Sequence, residues 1–288
     1  MTDLTIVIPA YNEEGSLSIY LPSVISFCEE KKSKLIIVND GSKDGTQQVL
    51  ETYSSHSFFK IIRNKLNKGY GGAIKTAVAW VDTTYCVTID ADGQHDLKDV
   101  EKLYHEIKLL DADMVVGRRS TGGSAYRNAG RSLIRSVAKF LMPIHIHDLN
   151  SGMKIYNTKL AQKYLHLCPN TMAYSDVIAL VFVSQRHLVN EIPITIHSRT
   201  SGESTINTLT AFETVKQILN IVLLFNPMNI FFPLSVFFFV ISVAWGLPII
   251  VMGRGMSVGA LFGIVTAIFF FFFGLIAEQL SWLRKGKL

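Results

Sequence analysis

Two hydrophobic patterns share this chain. Over the first 200 residues, short β-branched runs alternate with stretches of helical period. Residues 4–8 lead to a helix from about Ser16, residues 35–38 to one from about Thr46, and residues 59–62 to one from about Gly71. Residues 85–89 lead to a helix over about 97–110, and residues 114–116 follow. Strands separated by single helices predict right-handed βαβ units and a mostly parallel sheet. From Asn229 to Ala277 the pattern changes, since Arg254 is the one ionisable side chain there. Gly253, Arg254 and Gly255 split this stretch into two apolar runs of roughly 22 residues, each long enough at ~1.5 Å per residue to cross a ~30 Å hydrocarbon core. A transmembrane hairpin is the expectation. Between the two regions, apolar residues at 206, 209, 212, 215, 218, 219 and 222 repeat with helical period. This predicts an amphipathic helix lying in the membrane interface or packed on the preceding domain, and both alternatives stay open.

The expected division is therefore an α/β domain over 1–203, an amphipathic helix and linker over 204–228, and the hairpin with a short basic tail over 229–288. Lys216 precedes the hairpin and Arg284, Lys285 and Lys287 follow it, whereas its turn carries a single Arg. Positive-inside bias then places the α/β domain and both termini in the cytoplasm of a two-span cell-membrane protein. The opening MTDLTIVIPAYNEE, with an early Asp3 and no basic leader, predicts no cleaved signal. Composition agrees with the membrane reading: of 288 residues, 49% are hydrophobic and only 18% charged, which excludes disorder, collagen and coiled coil. Cys28, Cys86 and Cys168 lack any CxxC spacing and predict reduced, partly buried thiols. The net charge of +5 suits anionic lipid, and no aromatic-interleaved basic patch supports nucleic acid binding.

Polar chemistry collects where such sheets bind ligands, at the carboxyl ends of the strands. DADGQH at 90–95 puts two carboxylates, Asp90 and Asp92, one residue apart. A cation or proton must offset them. Their oxygens suit Mg²⁺ or Mn²⁺ with a substrate diphosphate, and Gln94 offers another oxygen. A solvated turn is the plain alternative. In NDGSKDGT at 39–46, Asp40 can accept hydrogen bonds from a ribose or base and Gly41 permits close backbone approach, while Asp44 also serves as a helix cap. NKGYGGA at 67–73 follows the third strand and lacks G-x-G-x-x-G, so a dinucleotide site is not expected. His145 and His147 have no carboxylate cluster beside them in the sequence and read as structural. Arg118 and Arg119 end a strand, Arg127, Arg131 and Arg135 are spaced by four, and Arg199 precedes the amphipathic helix. These are cations that could hold a phosphate.

VIPAYNEE, VNDGSKDGT, NKGYGGA and DADGQH, in this order, resemble a family 2 inverting glycosyltransferase of the GT-A fold. With DLNSG at 148–152, SRTSGES at 198–204 and the hairpin, the chain resembles the polyprenyl-phosphate group that includes dolichyl-phosphate mannose synthase and bactoprenol glucosyltransferase. The resemblance implies a Rossmann-like GT-A domain in which Pro9, Ala10, Tyr11, Glu13, Asp40 and Asp90 bind the donor nucleotide. It implies a divalent Mg²⁺ or Mn²⁺ on Asp90, Asp92 and Gln94, with Asp92 and Asp148 as catalytic acids. Arg119, Arg127, Arg131 and Arg199 become the acceptor-phosphate residues; Arg135 and Lys139 read as a solvated face. Asn39 stands where many members carry a second Asp. The implied partners are a nucleotide sugar (UDP-glucose or similar, with GDP-mannose as an option), a polyprenyl phosphate (undecaprenyl or dolichyl) and the bilayer. A homo-oligomer is left open. Two other readings stand beside this one: a transferase to a hydroxyl of a glycolipid or saccharide, with Asp148 as base, and a catalytically silent membrane scaffold.

Overall fold

The structure is a computed structural model that describes residues 1–119, 146–197, 219, 222–223 and 226–285. The expected alternation is present as β1 (Leu4–Ala10), α1 (Glu14–Lys31), β2 (Lys34–Asn39), α2 (Thr46–Glu51), β3 (Phe59–Arg63), α3 (Tyr70–Val78), β4 (Tyr85–Thr88), α4 (Leu97–Leu109) and β5 (Met114–Arg119). There follow β6 (Lys154–Asn157), α5 (Thr158–Tyr164), α6 (Tyr174–Ser184) and β7 (Val189–Ile194). The sheet order is β3-β2-β1-β4-β6-β5-β7. Every neighbouring pair is parallel except those of β6, which runs antiparallel to both β4 and β5. That reversal brings the first residue of β6 opposite Thr88, the carboxyl end of β4.

All seven positions of β1 are buried, as a parallel strand covered on both faces requires. Leu4, Ile6 and Ile8 share one core with Leu17, Leu21 and Val24 of α1 and Val100, Leu103 and Ile107 of α4. Each such side chain contributes about 1.5–3 kcal/mol through burial. On the other face α3 packs on β1 and β2 through Ala73, Ile74, Ala77 and Val78. The three cysteines are free and fully rather than partly buried; burial pushes the Cys28 thiol up to about 11 and those of Cys86 and Cys168 to about 12.

The C-terminal helices form a compact unit of their own. α7 (Met228–Val251) and α8 (Val258–Lys285) are both long and apolar enough to cross a membrane. They turn through Gly253 and Gly255, both at positive φ, where the sequence predicts the break. Small residues let the helix backbones close up: a side chain at Gly263 would collide with Ser242, and one at Gly246 with Ala260. Ser235 also donates across the pair to the Ala267 carbonyl (2.8 Å), a close small-residue packing suited to lipid surroundings. The predicted amphipathic helix and linker over 204–228 fall almost entirely outside the described residues.

Candidate active site

The loops after β1 and β2 are fastened to each other. Asn12, held at φ 54, receives the Lys43 N–H on Oδ1 (2.9 Å), and its own N–H donates to Ser42 (3.0 Å). Glu13 N–H donates to Thr46 Oγ1 (2.9 Å), Glu14 N–H to Asp44 (3.1 Å), and Gly45 N–H returns to Glu14 (2.9 Å). The two helix N-termini thus cap one another. Asp44 serves both, receiving Thr46 N–H as well (3.0 Å). Pro9 and Ala10 are buried at the end of β1, Tyr11 stands exposed beside them and Glu13 is half-buried.

Asp40 is buried and works within the protein. Its carboxylate accepts from Asn64 Nδ2 (2.6 Å), Lys68 N–H (3.0 Å) and Gly69 N–H (2.9 Å), so it holds the turn before α3 in place. Gly41, at φ +74, lies so near this turn that a Cβ would come within 2.9 Å of the Leu66 and Asn67 backbone. The close approach expected of Gly41 is to the chain's own turn. The glycines of NKGYGGA serve packing in the same way. Gly72 N–H donates to the Asn170 carbonyl (3.1 Å), and a side chain at Gly71 would strike Pro169 and Thr171.

Asp90, Asp92 and Gln94 share the turn that follows β4. Tyr70 donates to Asp90 Oδ1 (3.0 Å). The Asp90 N–H donates to Nδ1 of buried His95 (3.1 Å), which leaves His95 Nε2 at 3.9 Å from Asp90 Oδ2. Gly152 lies against this carboxylate, where a Cβ would meet Oδ2 at 2.5 Å. Asp92 is only 7% exposed and accepts the Gln94 N–H (3.1 Å). Tyr20 donates to the His95 carbonyl (3.0 Å); burial first, then the charges of Asp92, Asp96 and Asp90, raise its hydroxyl so that it remains a donor. The far side of the turn is pinned by a bridge from His95 to Ile196 and by His197 N–H on the Gln94 carbonyl (2.9 Å). Among the described residues, no group of three or more His, Cys, Asp or Glu side chains is gathered to hold an ion. The donor set is nonetheless all oxygen, two carboxylates and a Gln amide on one turn. That fits a hard divalent ion whose shell is completed by water and a diphosphate.

Asp148 sits with Arg119, which donates from Nε (2.8 Å), from Nη2 (2.8 Å) and from its backbone N–H (3.1 Å). Burial would raise the Asp148 carboxyl, but these Arg119 contacts outweigh it and hold it below its usual value. Arg119 was expected to face an acceptor phosphate; two of its three nitrogens are instead turned to Asp148. His147 donates its N–H to Glu191 (2.7 Å) and its ring contacts the same carboxylate. Arg127, Arg131, Arg199 and His145 lie outside the described residues. Two charges that motif reading passed over complete the cluster. Lys154, the first residue of β6, is fully buried with its ammonium on the Ser151 carbonyl, and Asp176 is buried in α6. A single base in KIYN and a single acid in the apolar run 173–183 were the available signals.

The fold and the acid-bearing β4 turn define a GT-A-type domain, a mostly parallel sheet with its acids at the strand ends. The chain belongs to glycosyl transferase family 2, whose model matches residues 5–165, and residues 226–283 match the GtrB C-terminal hairpin. It is 31% identical to the dolichyl-phosphate beta-glucosyltransferase of Dictyostelium discoideum, over 56% of this chain and 55% of that protein. Its identity to the Saccharomyces cerevisiae protein of the same name is 30%, over 67% of this chain and 66% of the relative. The chain thus spans between about half and two thirds of the length of these relatives. In fold it is similar to glucosyl-3-phosphoglycerate synthase from Mycobacterium tuberculosis, solved with Mn²⁺, UDP-glucose and phosphoglyceric acid. The TM-score is 0.59 at 16% identity, covering 76% of this chain and 79% of that one.

Proposed function

We propose that the chain is a membrane-anchored inverting glycosyltransferase that moves one sugar from a nucleotide sugar to a polyprenyl phosphate. UDP-glucose is the favoured donor, because the relatives named above are beta-glucosyltransferases. The observation that carries the acceptor is the Asp148–Arg119 pair. A hydroxyl acceptor needs a base, and a carboxylate held low by a bidentate arginine is a weak one. A phosphate monoester is already ionised near neutral pH and needs none. Its oxygen attacks the anomeric carbon as the bond from that carbon to the donor diphosphate breaks, and the nucleoside diphosphate leaves with the bonding pair. Asp90, Asp92 and Gln94 would hold Mg²⁺ or Mn²⁺, which when bound supplies counter-charge to the departing diphosphate. Pro9, Ala10, Tyr11 and Glu13 line the nucleotide side, and Asp40 contributes through the turn it holds. Arg119 keeps one nitrogen for the acceptor, which Arg127, Arg131 and Arg199 would share. The domain 1–203 and both termini are cytoplasmic in this reading, with 204–228 at the interface and 229–288 as anchor.

The test is incubation of the purified full chain with UDP-glucose or GDP-mannose and undecaprenyl or dolichyl phosphate. The products are identified by mass with Mn²⁺ present and after EDTA. A metal-dependent glycosyl phospholipid is expected. Transfer to a glycolipid hydroxyl alone, or sugar transfer that survives rigorous metal removal, would overturn the proposal.

A further inference from the structure

Thr88 puts a hydroxyl where the sheet favours none. It ends β4, the middle strand, and is 2% exposed, at a position where a strand covered on both faces normally carries an apolar side chain. A hydroxyl buried there has to be bonded, and this one is bonded on two sides. Its oxygen lies 2.8 Å from the Gly152 carbonyl, to which it donates, and 2.8 Å from the hydroxyl of Tyr156, itself 1% exposed. A threonine has a single hydroxyl hydrogen. With that hydrogen on Gly152, the Tyr156 hydroxyl is the donor to Thr88. The chain therefore runs from Tyr156 through Thr88 to the Gly152 carbonyl, each bond polarising the next.

The far end of that chain lies against the acid of the β4 turn. Thr88 opposite Lys154 is the last rung of the antiparallel β4–β6 pair, and the same register carried two residues further sets Asp90 against Gly152. A Cβ on Gly152 would indeed fall 2.5 Å from Asp90 Oδ2. On its other side Asp90 receives the Tyr70 hydroxyl on Oδ1 (3.0 Å), and 33% of its side chain stays exposed, the part left for a ligand. Joining the strands does not require the Thr88 hydroxyl, because four residue pairs from Tyr85 with Asn157 to Thr88 with Lys154 already do so. We propose that Thr88, backed by Tyr156, is a positioning residue: it holds the Gly152 backbone as the wall that fixes the direction of the Asp90 carboxylate. The inference rests on the reading of Asp90 as a ligand of the divalent ion in a nucleotide-sugar transferase. Groups that orient a metal ligand without touching the metal commonly change its affinity by about tenfold or more.

The experiment titrates Mn²⁺ into the full chain in detergent at saturating UDP, reading free Mn²⁺ by paramagnetic resonance and folding by thermal melts. GDP replaces UDP if that is the nucleotide the protein takes. Thr88→Val keeps the side-chain shape and loses the hydroxyl; it is expected to melt cooperatively and to bind Mn²⁺ about tenfold more weakly. Thr88→Ser restores the hydroxyl and should return the affinity to within about threefold of wild type. Tyr156→Phe should weaken Mn²⁺ in the same direction by about threefold or more. Because Thr88 acts through Gly152, adding Thr88→Val to Gly152→Ala should cost less than about threefold beyond Gly152→Ala alone. Losses that multiply in the double variant, equal losses in Thr88→Val and Thr88→Ser, or wild-type affinity in a folded Thr88→Val would each overturn the proposal. If Thr88→Val fails to fold, Tyr156→Phe, which keeps the ring, decides, and wild-type affinity there overturns it. A wild-type chain that takes up Mn²⁺ with UDP yet transfers no sugar to lipid phosphate would sink the functional reading and leave the positioning role standing. Uptake of Mn²⁺ with neither UDP nor GDP would sink both.

Discussion

Asp92 and Asp148 are both acids at the strand ends, yet their surroundings give them different work. Asp92 is nearly covered on a turn whose oxygens suit a cation, and a departing diphosphate needs that counter-charge. Asp92→Asn is therefore expected to lower turnover by roughly two orders of magnitude, measured as initial rate at saturating Mn²⁺; an unchanged rate would exclude the metal reading. Asp148 is neutralised by the protein itself through Arg119. Its carboxyl is held below the ordinary value, so the pair's stabilisation is present above about pH 4 and is lost as pH falls through the depressed folded value. Asp148→Asn should cost about 1–3 kcal/mol at neutral pH, and the gap in stability from wild type should narrow steadily below pH 4. Urea melts at stepped pH would show it. A gap that stays constant to low pH would mean that the pair is not what stabilises this loop.

Elements set these residues in place, and one glycine shows how closely. Gly152 lies in the turn before β6, and a methyl there would fall 2.5 Å from Asp90 Oδ2. Backbone cannot yield as a side chain can, so Asp90 must rotate away from Tyr70. Gly152→Ala is expected to weaken Mn²⁺-dependent donor binding by about tenfold or more with a modest change in melting temperature, because the displaced group is half-exposed. Calorimetry with and without Mn²⁺ tests this; unaltered affinity would show that Asp90 does not need this rotamer. The strands and helices as far as β5, and the hairpin, were legible because each carries its own period, and Asp90, Asp92 and Gln94 stood out as candidates because they share one short turn; α5, α6 and β7 were not read from the sequence. The direction of β6 was not legible either, since four residues of extended chain, Lys154–Asn157, read alike in both directions. With it went the placing of Lys154 opposite Thr88, two positions before Asp90, which only the folded sheet brings about. Asp40 was legible as important, but its partners at 64, 68 and 69 belong to a turn that only tertiary structure brings beneath it.

Taken whole, the chain is a folded sheet domain with a separate apolar hairpin, and the two answer to different solvents. Residues 1–119 and 146–197 carry the β1, β2 and β4 turns and close their core without α7 or α8. From Asn229 to Ala277 the hairpin holds no ionisable side chain outside Arg254 in its turn, Glu278 coming only toward the C-terminal end of α8, and functional paths through a membrane usually carry such groups deep in the span. Its contribution on this account is to confine the domain to the surface where a polyprenyl phosphate resides, which raises the local concentration of acceptor without a new contact. A protein ending near Asn226 should then bind nucleotide sugar with Mn²⁺ within about threefold of the full chain. With acceptor embedded in vesicles its transfer rate should fall by about tenfold or more. With a short-chain prenyl phosphate dissolved in water, where no surface has to be found, the two proteins should run alike. Loss of donor affinity in a truncated protein that still melts cooperatively would show that the hairpin helps build the site, and equal rates on vesicles would show that it is not the anchor.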